Sequence, residues 1–170
     1  MFRLRFPESR IFYWAARNSE PGDAVIENRI GPGARARGYL TRAKFLRICE
    51  WKTPRSRPLC VRNSAPLVRK VTCAALSTRD EELKMRTLLR LSGVGPPTAS
   101  VILHFCDRGR YPILDVRVLW SLGFRKPPSF TILFWLKYTE FLRGLADRTR
   151  QDMRTVDRAL WQYSKEHQAR

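Results

Sequence analysis

Apolar residues recur at the three- and four-residue intervals of a helix along most of the chain. The clearest example begins after Thr41 and ends before Pro54, with Phe45 and Ile48 on its apolar side. No stretch shows the sustained alternation of apolar and polar residues that a half-buried strand requires. The pattern therefore predicts an all-α fold.

Capping residues, prolines and glycines set the expected limits of the helices. Besides the helix after Thr41, the expected helices are Ile11 to Arg17, one from Pro96 or Pro97 to about Gly109, Asp115 to Leu122, Ser129 to Ala146 and Gln151 to His167. A further helix is capped by Asn63 or Ser64 and has as its apolar stripe Leu67, Val68, Val71 and Ala75. Another is capped by Ser77 or Thr78, has Leu83, Leu88 and Leu91 at apolar positions, and ends at Gly93. Residues 1–40, rich in proline and glycine, are predicted to be an irregular N-terminal segment. A length of 170 residues with 44% hydrophobic residues predicts one domain over residues 1–170 with a sizeable core.

The charge of the chain narrows the choice of partner. Lys and Arg number 33 against 15 Asp and Glu, which gives a formal net charge of +18, and the basic residues extend from Arg3 to Arg170. A folded domain this basic repels itself unless a polyanion screens it, so nucleic acid is the first expected partner. An anionic membrane surface and acidic protein partners are the weaker alternatives.

Cysteine spacing and apolar runs bear on cofactors and location. The four cysteines match neither a zinc site nor an iron–sulfur run, and we interpret them as reduced, buried thiols: Cys49, Cys60, Cys73 and Cys106. The N-terminus lacks the apolar core of a signal peptide, and the run Phe130 to Leu136 is too short to cross a bilayer. We therefore expect a soluble cytoplasmic monomer, associated with the nucleoid in a bacterial host.

A glycine motif lies between two of the predicted helices. The run Leu91 to Ala99 reads Leu-Ser-Gly-Val-Gly-Pro-Pro-Thr-Ala. Glycine tolerates positive φ, and its missing side chain lets a backbone N–H approach a phosphate closely. The following helix directs its positive end at the same anion, while Val94 is expected to point inward and pack. We expect this hairpin to bind DNA phosphate; a plain corner between two helices is the alternative.

A carboxylate follows the hairpin at a defined distance. Asp115 comes twenty residues after Gly95. A carboxylate held at a fixed distance beyond a phosphate-binding hairpin could act chemically on the bound strand. An aspartate directly before Val116 is also an ordinary helix N-cap. The spacing from the hairpin favours the catalytic interpretation over the cap.

The segment Leu91 to Ala99 together with Asp115 resembles the helix-hairpin-helix, Gly/Pro-rich loop and Asp signature of the base-excision DNA glycosylases related to endonuclease III and the adenine-mismatch glycosylases. The match covers about Leu83 to Leu122, inside a core that we place at residues 79–123. The resemblance implies a helix-hairpin-helix DNA glycosylase-like helical fold with two subdomains and an active-site cleft between them. It also implies that Asp115 is the catalytic residue.

The same resemblance implies the ligands of the hairpin. The residues expected to contact DNA are Ser92, Gly93, Val94, Gly95, Pro96 and Thr98. The backbone carbonyls expected to hold a monovalent cation are those of Leu89, Leu91 and Val94. Iron–sulfur members of the family carry four closely spaced cysteines near the C-terminus, whereas no cysteine follows Cys106 here. We therefore expect no cluster.

The second position after Gly95 bears on the type of reaction. Bifunctional members of the family carry a lysine there, whose amine forms a Schiff base with the sugar and leads to strand cleavage. This chain has Pro97 at that position, which has no nucleophilic side chain. The substitution predicts a monofunctional glycosylase that leaves an intact abasic site.

An enzyme that acts on a base must extrude it from the stack and hold it against aromatic or apolar surfaces. Aromatic candidates outside the matched core are Phe12, Tyr13, Trp14 and Trp51, with Trp120 inside it. The preferred candidates for a base pocket or DNA contact are Trp51, Lys52, Arg55 and Trp14. For each the simpler interpretation is a tryptophan packed in the core or a cation in solvent.

The leading hypothesis is a DNA glycosylase that removes a damaged or mismatched base from double-stranded DNA during base-excision repair. A helix-hairpin-helix DNA-binding protein without catalytic activity is the main alternative, and a basic helical protein that assembles with acidic partners is a third. A water-accessible Asp115 favours the enzyme, whereas an Asp115 buried in its own helix cap favours the binding protein.

Overall fold

The computed structural model describes residues 2–19 and 24–168, and every regular element within them is helical. The α-helices are α1 (Ile11–Ala16), α2 (Gly31–Arg37), α3 (Arg42–Lys52), α4 (Arg57–Cys60), α5 (Ala65–Ser77), α6 (Glu81–Leu88), α7 (Pro96–Cys106), α8 (Val116–Ser121), α9 (Ile132–Thr149) and α10 (Met153–His167). Short 3-10 turns cover Glu8–Arg10 and Pro54–Ser56. The predicted all-α class is confirmed. None of the described helices is long and apolar enough to cross a membrane.

The chain divides into two compact units. The first unit consists of Met1–Glu20 and Arg110–Arg170 and contains α1 and α8 to α10, whereas the second consists of Pro21–Gly109 and contains α2 to α7. The hairpin motif therefore belongs to the second unit and Asp115 to the first. A single glycosylase-like domain over residues 1–170, with a core at 79–123 and a cleft between subdomains, stays a prediction.

Helix α7 is the central helix of the second unit, because every residue from Thr98 to Leu103 is buried. Helices α2, α3 and α6 pack against it, and α5 packs against α6. On α5 the buried stripe is Val68, Val71, Thr72 and Ala75, as the apolar spacing predicted except for Thr72. Leu67 and Leu83 were predicted on the apolar faces of their helices, and they are 40% and 48% exposed. Neighbouring positions already fill the interface there.

Several helices begin later than the sequence predicted. Helix α6 is capped by Asp80, whose Oδ1 accepts the Leu83 N–H at 2.9 Å, rather than by Ser77 or Thr78. A carboxylate is the stronger cap because it also interacts with the positive end of the helix. Similarly, Thr131 caps α9 and Asp152 caps α10. The predicted Ser64 cap of α5 is confirmed by its bond to the Leu67 N–H.

Part of the segment predicted to be irregular is helical. A π-helical turn at Ile26–Ile30 leads directly into α2, whose first turn accommodates Pro32. A Cβ at Gly31 would lie 2.5 Å from the Phe105 carbonyl oxygen, which also accepts a hydrogen bond from the Arg35 guanidinium. Gly31 thus serves close packing of α2 on α7, whereas the sequence presented it as a helix breaker.

In the first unit, α10 packs against α1 and α8. The Tyr138 hydroxyl donates to the Ile113 carbonyl at 2.7 Å, and the Ser121 hydroxyl donates to the Leu160 carbonyl at 2.6 Å. Burial raises the pKa of Tyr138 well above its usual value, and the charges of Asp157 and Asp115 add to the effect. These bonds join the ends of α8 and the segment before it to the two long helices.

The cysteines lie in the second unit and form no disulfide. Cys49, Cys60 and Cys106 are buried, and burial raises the pKa of Cys49 strongly and that of Cys106 to about 12. Cys73 is exposed, so the prediction of four buried thiols was wrong at this position. It lies with Ala74 on the solvent side of α5, outside the buried stripe of that helix.

A buried ion pair joins two elements of the second unit. Lys84 on α6 and Asp107 after α7 are 2.5 Å apart, and their side chains are 5% and 8% exposed. Asp107 also accepts the Gly109 N–H, and the Lys84 ammonium donates to the Ala75 carbonyl. Each charge is therefore compensated by the other and by backbone groups, which is the condition under which a buried pair is tolerated.

We expect Lys84→Met to lower the free energy of unfolding by about 3 kcal/mol or more, because it leaves the Asp107 carboxylate buried without its counter-charge. Chemical denaturation at neutral pH measures the effect. Arg86→Ala is the matched control: Arg86 pairs with Glu82 on the exposed face of the same helix, so its loss should change stability little. Equal effects of the two substitutions would contradict the prediction.

Candidate functional site

The hairpin between α6 and α7 is built from short-range backbone hydrogen bonds. The Leu91 N–H donates to the Leu88 carbonyl and the Val94 N–H donates to the Leu91 carbonyl, both at 3.1 Å. The Gly95 carbonyl accepts the Ala99 N–H at 2.9 Å, which starts α7. Val94 is only 8% exposed, so its predicted role as an inward packing residue is confirmed.

Gly93 is required by both conformation and space. Its φ is +77°, in the region that favours glycine. A Cβ at this position would lie 2.7 Å from the Cys60 Sγ and 2.9 Å from the Cys60 nitrogen. The hairpin therefore lies directly against the end of α4, which a larger residue would prevent.

Asn63 fixes the hairpin through its side-chain amide. Its Oδ1 accepts the Ser92 N–H and its Nδ2 donates to the Ser92 carbonyl, both at 2.9 Å. The Nδ2 also donates to the Cys60 carbonyl, and the residue is only 1% exposed. The sequence presented Asn63 as a candidate helix cap, and no local signal indicated a partner 29 residues away.

Gly95 differs from Gly93 because it faces open space. Its backbone is extended, with φ −100° and ψ 177°, and a Cβ would approach nothing closer than the Pro97 Cδ at 3.7 Å. In the part of the chain that the structure describes, the N–H groups of Gly93 and Gly95 have no hydrogen-bond acceptor. These two groups are available to an external anion such as a phosphate.

The two prolines reduce the number of backbone N–H groups that the start of α7 can offer to an anion. Pro96 and Pro97 have no N–H, so the first N–H of the helix belongs to Thr98. The Thr98 side chain is 2% exposed and its hydroxyl pairs with the Thr53 hydroxyl at 2.9 Å. Any contact of Thr98 with an anion would therefore use its backbone, and a contact of Pro96 would be one of packing alone.

The bond between Thr53 and Thr98 joins the end of α3 to the start of α7. It brings the predicted segment Trp51, Lys52 and Arg55 beside the hairpin, within the second unit. Trp51 is half-buried and packs edge-to-face on Phe105, with ring centroids 6.1 Å apart. Lys52 is half-buried and Arg55 is exposed. Trp51 is therefore partly a packing residue, whereas Arg55 is open to solvent.

Trp14, the other predicted pocket residue, lies in an aromatic cluster of the first unit. Its ring centroid is 5.2 Å from that of Tyr163 and 5.1 Å from that of His167, in edge-to-face geometry. Phe6 also packs against it. These contacts attach α1 to α10, so a structural role accounts for Trp14.

Asp115 is the N-cap of α8, and it remains half-exposed. Its Oδ1 accepts the Arg117 N–H at 2.9 Å, and its carbonyl accepts the Leu119 N–H at 2.9 Å. The positive end of the helix attracts the carboxylate. The cap that the sequence offered as an alternative is therefore present, in a residue that is half-buried rather than fully buried.

The carbonyls predicted to hold a monovalent cation lie in the turn of the hairpin. The Leu91 carbonyl already accepts the Val94 N–H. A carbonyl oxygen has two lone pairs, so this bond leaves capacity for a second partner. The carbonyls of Leu89, Leu91 and Val94 are thus chemically suitable for a cation, which stays a prediction.

No protein-family model and no curated protein matches the chain significantly. Among solved structures, it is similar to the 8-oxoguanine glycosylase/lyase of Methanocaldococcus jannaschii, which was crystallised with a 15-mer DNA containing 8-oxoguanine. The TM-score is 0.54 at 17% sequence identity, and the match covers 96% of this chain and 82% of the other. The likeness shows that the chain has the fold of a helix-hairpin-helix DNA glycosylase, as the sequence predicted.

We expect Gly93→Ala to destabilise the protein by about 1–3 kcal/mol, because it strains the backbone and forces the hairpin away from Cys60. Thermal or chemical unfolding measures the effect. Gly95→Ala is the matched control, since its extended backbone and open surroundings accept a methyl group. A Gly95→Ala variant as unstable as Gly93→Ala would show that our distinction between the two glycines is wrong.

Proposed function

We propose that the protein is a DNA glycosylase of base-excision repair, which hydrolyses the N-glycosidic bond of a damaged or mismatched base in double-stranded DNA. The observation that carries the proposal is the half-buried Asp115, whose carboxylate is fixed by the Arg117 N–H, in a chain with the fold of a DNA glycosylase. The hairpin around Gly93 and Gly95 supplies the complementary binding function.

The hairpin suits a DNA phosphate for three physical reasons. The N–H groups of Gly93 and Gly95 have no acceptor among the described residues. The positive end of the eleven-residue helix α7 lies behind them. Gly95 adds no side chain on the open side, so a phosphate oxygen can approach its backbone closely. The net charge of +18 adds long-range attraction for the polyanion.

Asp115 would stabilise the reacting sugar. The C1′–N bond breaks and its electron pair leaves with the base, so positive charge develops on the sugar ring. A carboxylate held by a helix N-terminus cannot turn away from that charge, and it can orient the water that adds to C1′. The added water releases a proton, the departing base takes one up, and an intact abasic site remains.

We further propose that the reaction stops at this abasic site. The position that carries the Schiff-base lysine in bifunctional members of the resembled family is Pro97, which has no amine. The structurally similar archaeal protein is a glycosylase/lyase, so the likeness of fold does not argue for or against a lyase step here. We propose that the enzyme acts without an iron–sulfur cluster, since its cysteines lack the family's spacing.

A DNA-binding protein without catalytic activity is the second candidate function. The capping bond between Asp115 and Arg117 favours it, because a cap alone explains an aspartate at this position. Both candidates predict DNA binding that weakens strongly with salt. Only the enzyme requires the negative charge of Asp115, and base release distinguishes the two.

We expect Asp115→Asn to reduce base release by at least about 100-fold, because it removes the charge that stabilises the sugar in the transition state. Asparagine is an equally good N-cap, so the fold and DNA affinity should be retained. Purified protein is assayed on a panel of lesion-bearing duplexes, with hot alkali to cleave abasic sites. Retention of full base release by Asp115→Asn on a cognate lesion would refute the catalytic role.

We expect borohydride to trap no covalent complex between the wild-type protein and its substrate DNA, because Pro97 supplies no amine for a Schiff base. Gel electrophoresis under denaturing conditions measures the trapped species. The Pro97→Lys variant serves as a comparison with an amine at this position. Trapping of the wild-type protein would contradict the monofunctional assignment and leave the glycosylase proposal intact.

A further inference from the structure

A basic cavity of about 490 Å³ lies in the first unit, at the C-terminal end of α8. Three arginines line it together with two aromatic side chains and a short length of backbone: Arg3, Arg5, Arg125, Trp120 and Tyr163, with Leu4 and Gly123. It shares no residue with the hairpin, and Asp115 lies at the opposite end of α8. The proposed base-release chemistry does not use it.

Backbone contacts fix the walls of the cavity. The Arg3 N–H donates to the Leu122 carbonyl and the Arg5 N–H donates to the Ser121 carbonyl, both at 3.0 Å. Gly123 has a φ of +91°, and a Cβ there would lie 3.1 Å from the Arg3 carbonyl oxygen. The N-terminal segment is therefore held closely against the end of α8, and its arginines are carried on an ordered backbone.

Arg5 lines the cavity and lies over the Trp120 ring. Its Nε donates to the Trp120 carbonyl at 2.5 Å, and its guanidinium lies 4.4 Å from the Trp120 ring centroid. The Tyr163 hydroxyl donates to the Arg5 carbonyl at 3.1 Å. Arg3, Arg5 and Arg125 are all exposed, and Arg5 has a structural role in addition.

The arginines of the cavity differ from three arginines of the same unit that form ion pairs. Arg17, Arg110 and Arg148 each pair with a carboxylate, namely Glu166, Asp147 and Glu8. In residues 2–19 and 24–168, neither Arg3, Arg5 nor Arg125 has such a partner. An anion that enters the cavity lowers the mutual repulsion of these three positive charges. Guanidinium groups also match the geometry of phosphate oxygens.

We propose that this cavity binds a backbone phosphate of the DNA duplex, as a second anchor in addition to the hairpin. A phosphodiester suits the site because it offers one negative charge and two free oxygens to Arg3 and Arg125, while its sugar can pack on the exposed edges of the aromatic side chains. The inference rests on the proposed function only in taking DNA as the polyanion.

The test compares the double variant Arg3→Gln/Arg125→Gln with the control Lys70→Gln/Arg79→Gln, which removes the same charge from exposed positions of the second unit. Affinity for a lesion-free duplex of about 30 base pairs is measured by titration over a range of salt concentrations. We expect the cavity variant to bind about tenfold more weakly than the control and its slope of log K against log salt to be shallower by about one.

Thermal unfolding establishes that both variants fold. Equal affinity and equal salt slope for the two variants would overturn the second anchor. That result would leave the proposed glycosylase intact, provided that the wild-type protein binds and releases a base. Failure of the wild-type protein to bind any duplex would instead refute both proposals.

Discussion

The hairpin depends on one close contact, in which Gly93 lies against Cys60 with no room for a side chain. Three hydrogen bonds from the buried Asn63 amide hold that contact, two of them to the backbone of Ser92. Because an amide both donates and accepts, a single side chain binds both backbone polar groups of Ser92. Because this contact and these bonds fix the backbone at Ser92 and Gly93, they also fix the direction of the N–H groups of Gly93 and Gly95.

The two glycines of the motif are therefore required for different reasons. Gly93 serves the interior, since it is required by positive φ and by Cys60, whereas Gly95 serves the exterior, where nothing in its own unit opposes a side chain. Pro96 and Pro97 remove two donors from the start of α7. What remains for an anion is a small set of backbone groups at Gly93, Gly95 and Thr98, which favours a single phosphate over an extended contact.

Local signals in the sequence predicted most of the fold. Apolar spacing and caps located α3, α5, α7 and α8, and the Gly-Val-Gly run located the hairpin, because each of these signals acts within one or two turns of helix. Two of the misassigned positions depend on distant partners. Gly31 packs against the Phe105 carbonyl, and the Asn63 side chain bonds to the backbone of Ser92. Apolar periodicity along the sequence does not encode such long-range contacts. The Thr98 side chain is turned inward, where its hydroxyl pairs with that of Thr53, and the contact of Thr98 with DNA stays a prediction.

The two interpretations of Asp115 that the sequence offered are compatible in the structure. The cap engages Oδ1 through the Arg117 N–H, and the residue is only half-buried. A catalytic carboxylate must be both fixed and accessible. An unrestrained side chain would lose the electrostatic advantage of preorganisation, and a fully buried one could not contact the sugar. The short helix α8 supplies the first condition through its N-terminus. For this reason the capping bond does not by itself argue against catalysis, and the charge of the residue rather than its place at the helix end is the property on which the proposed reaction depends.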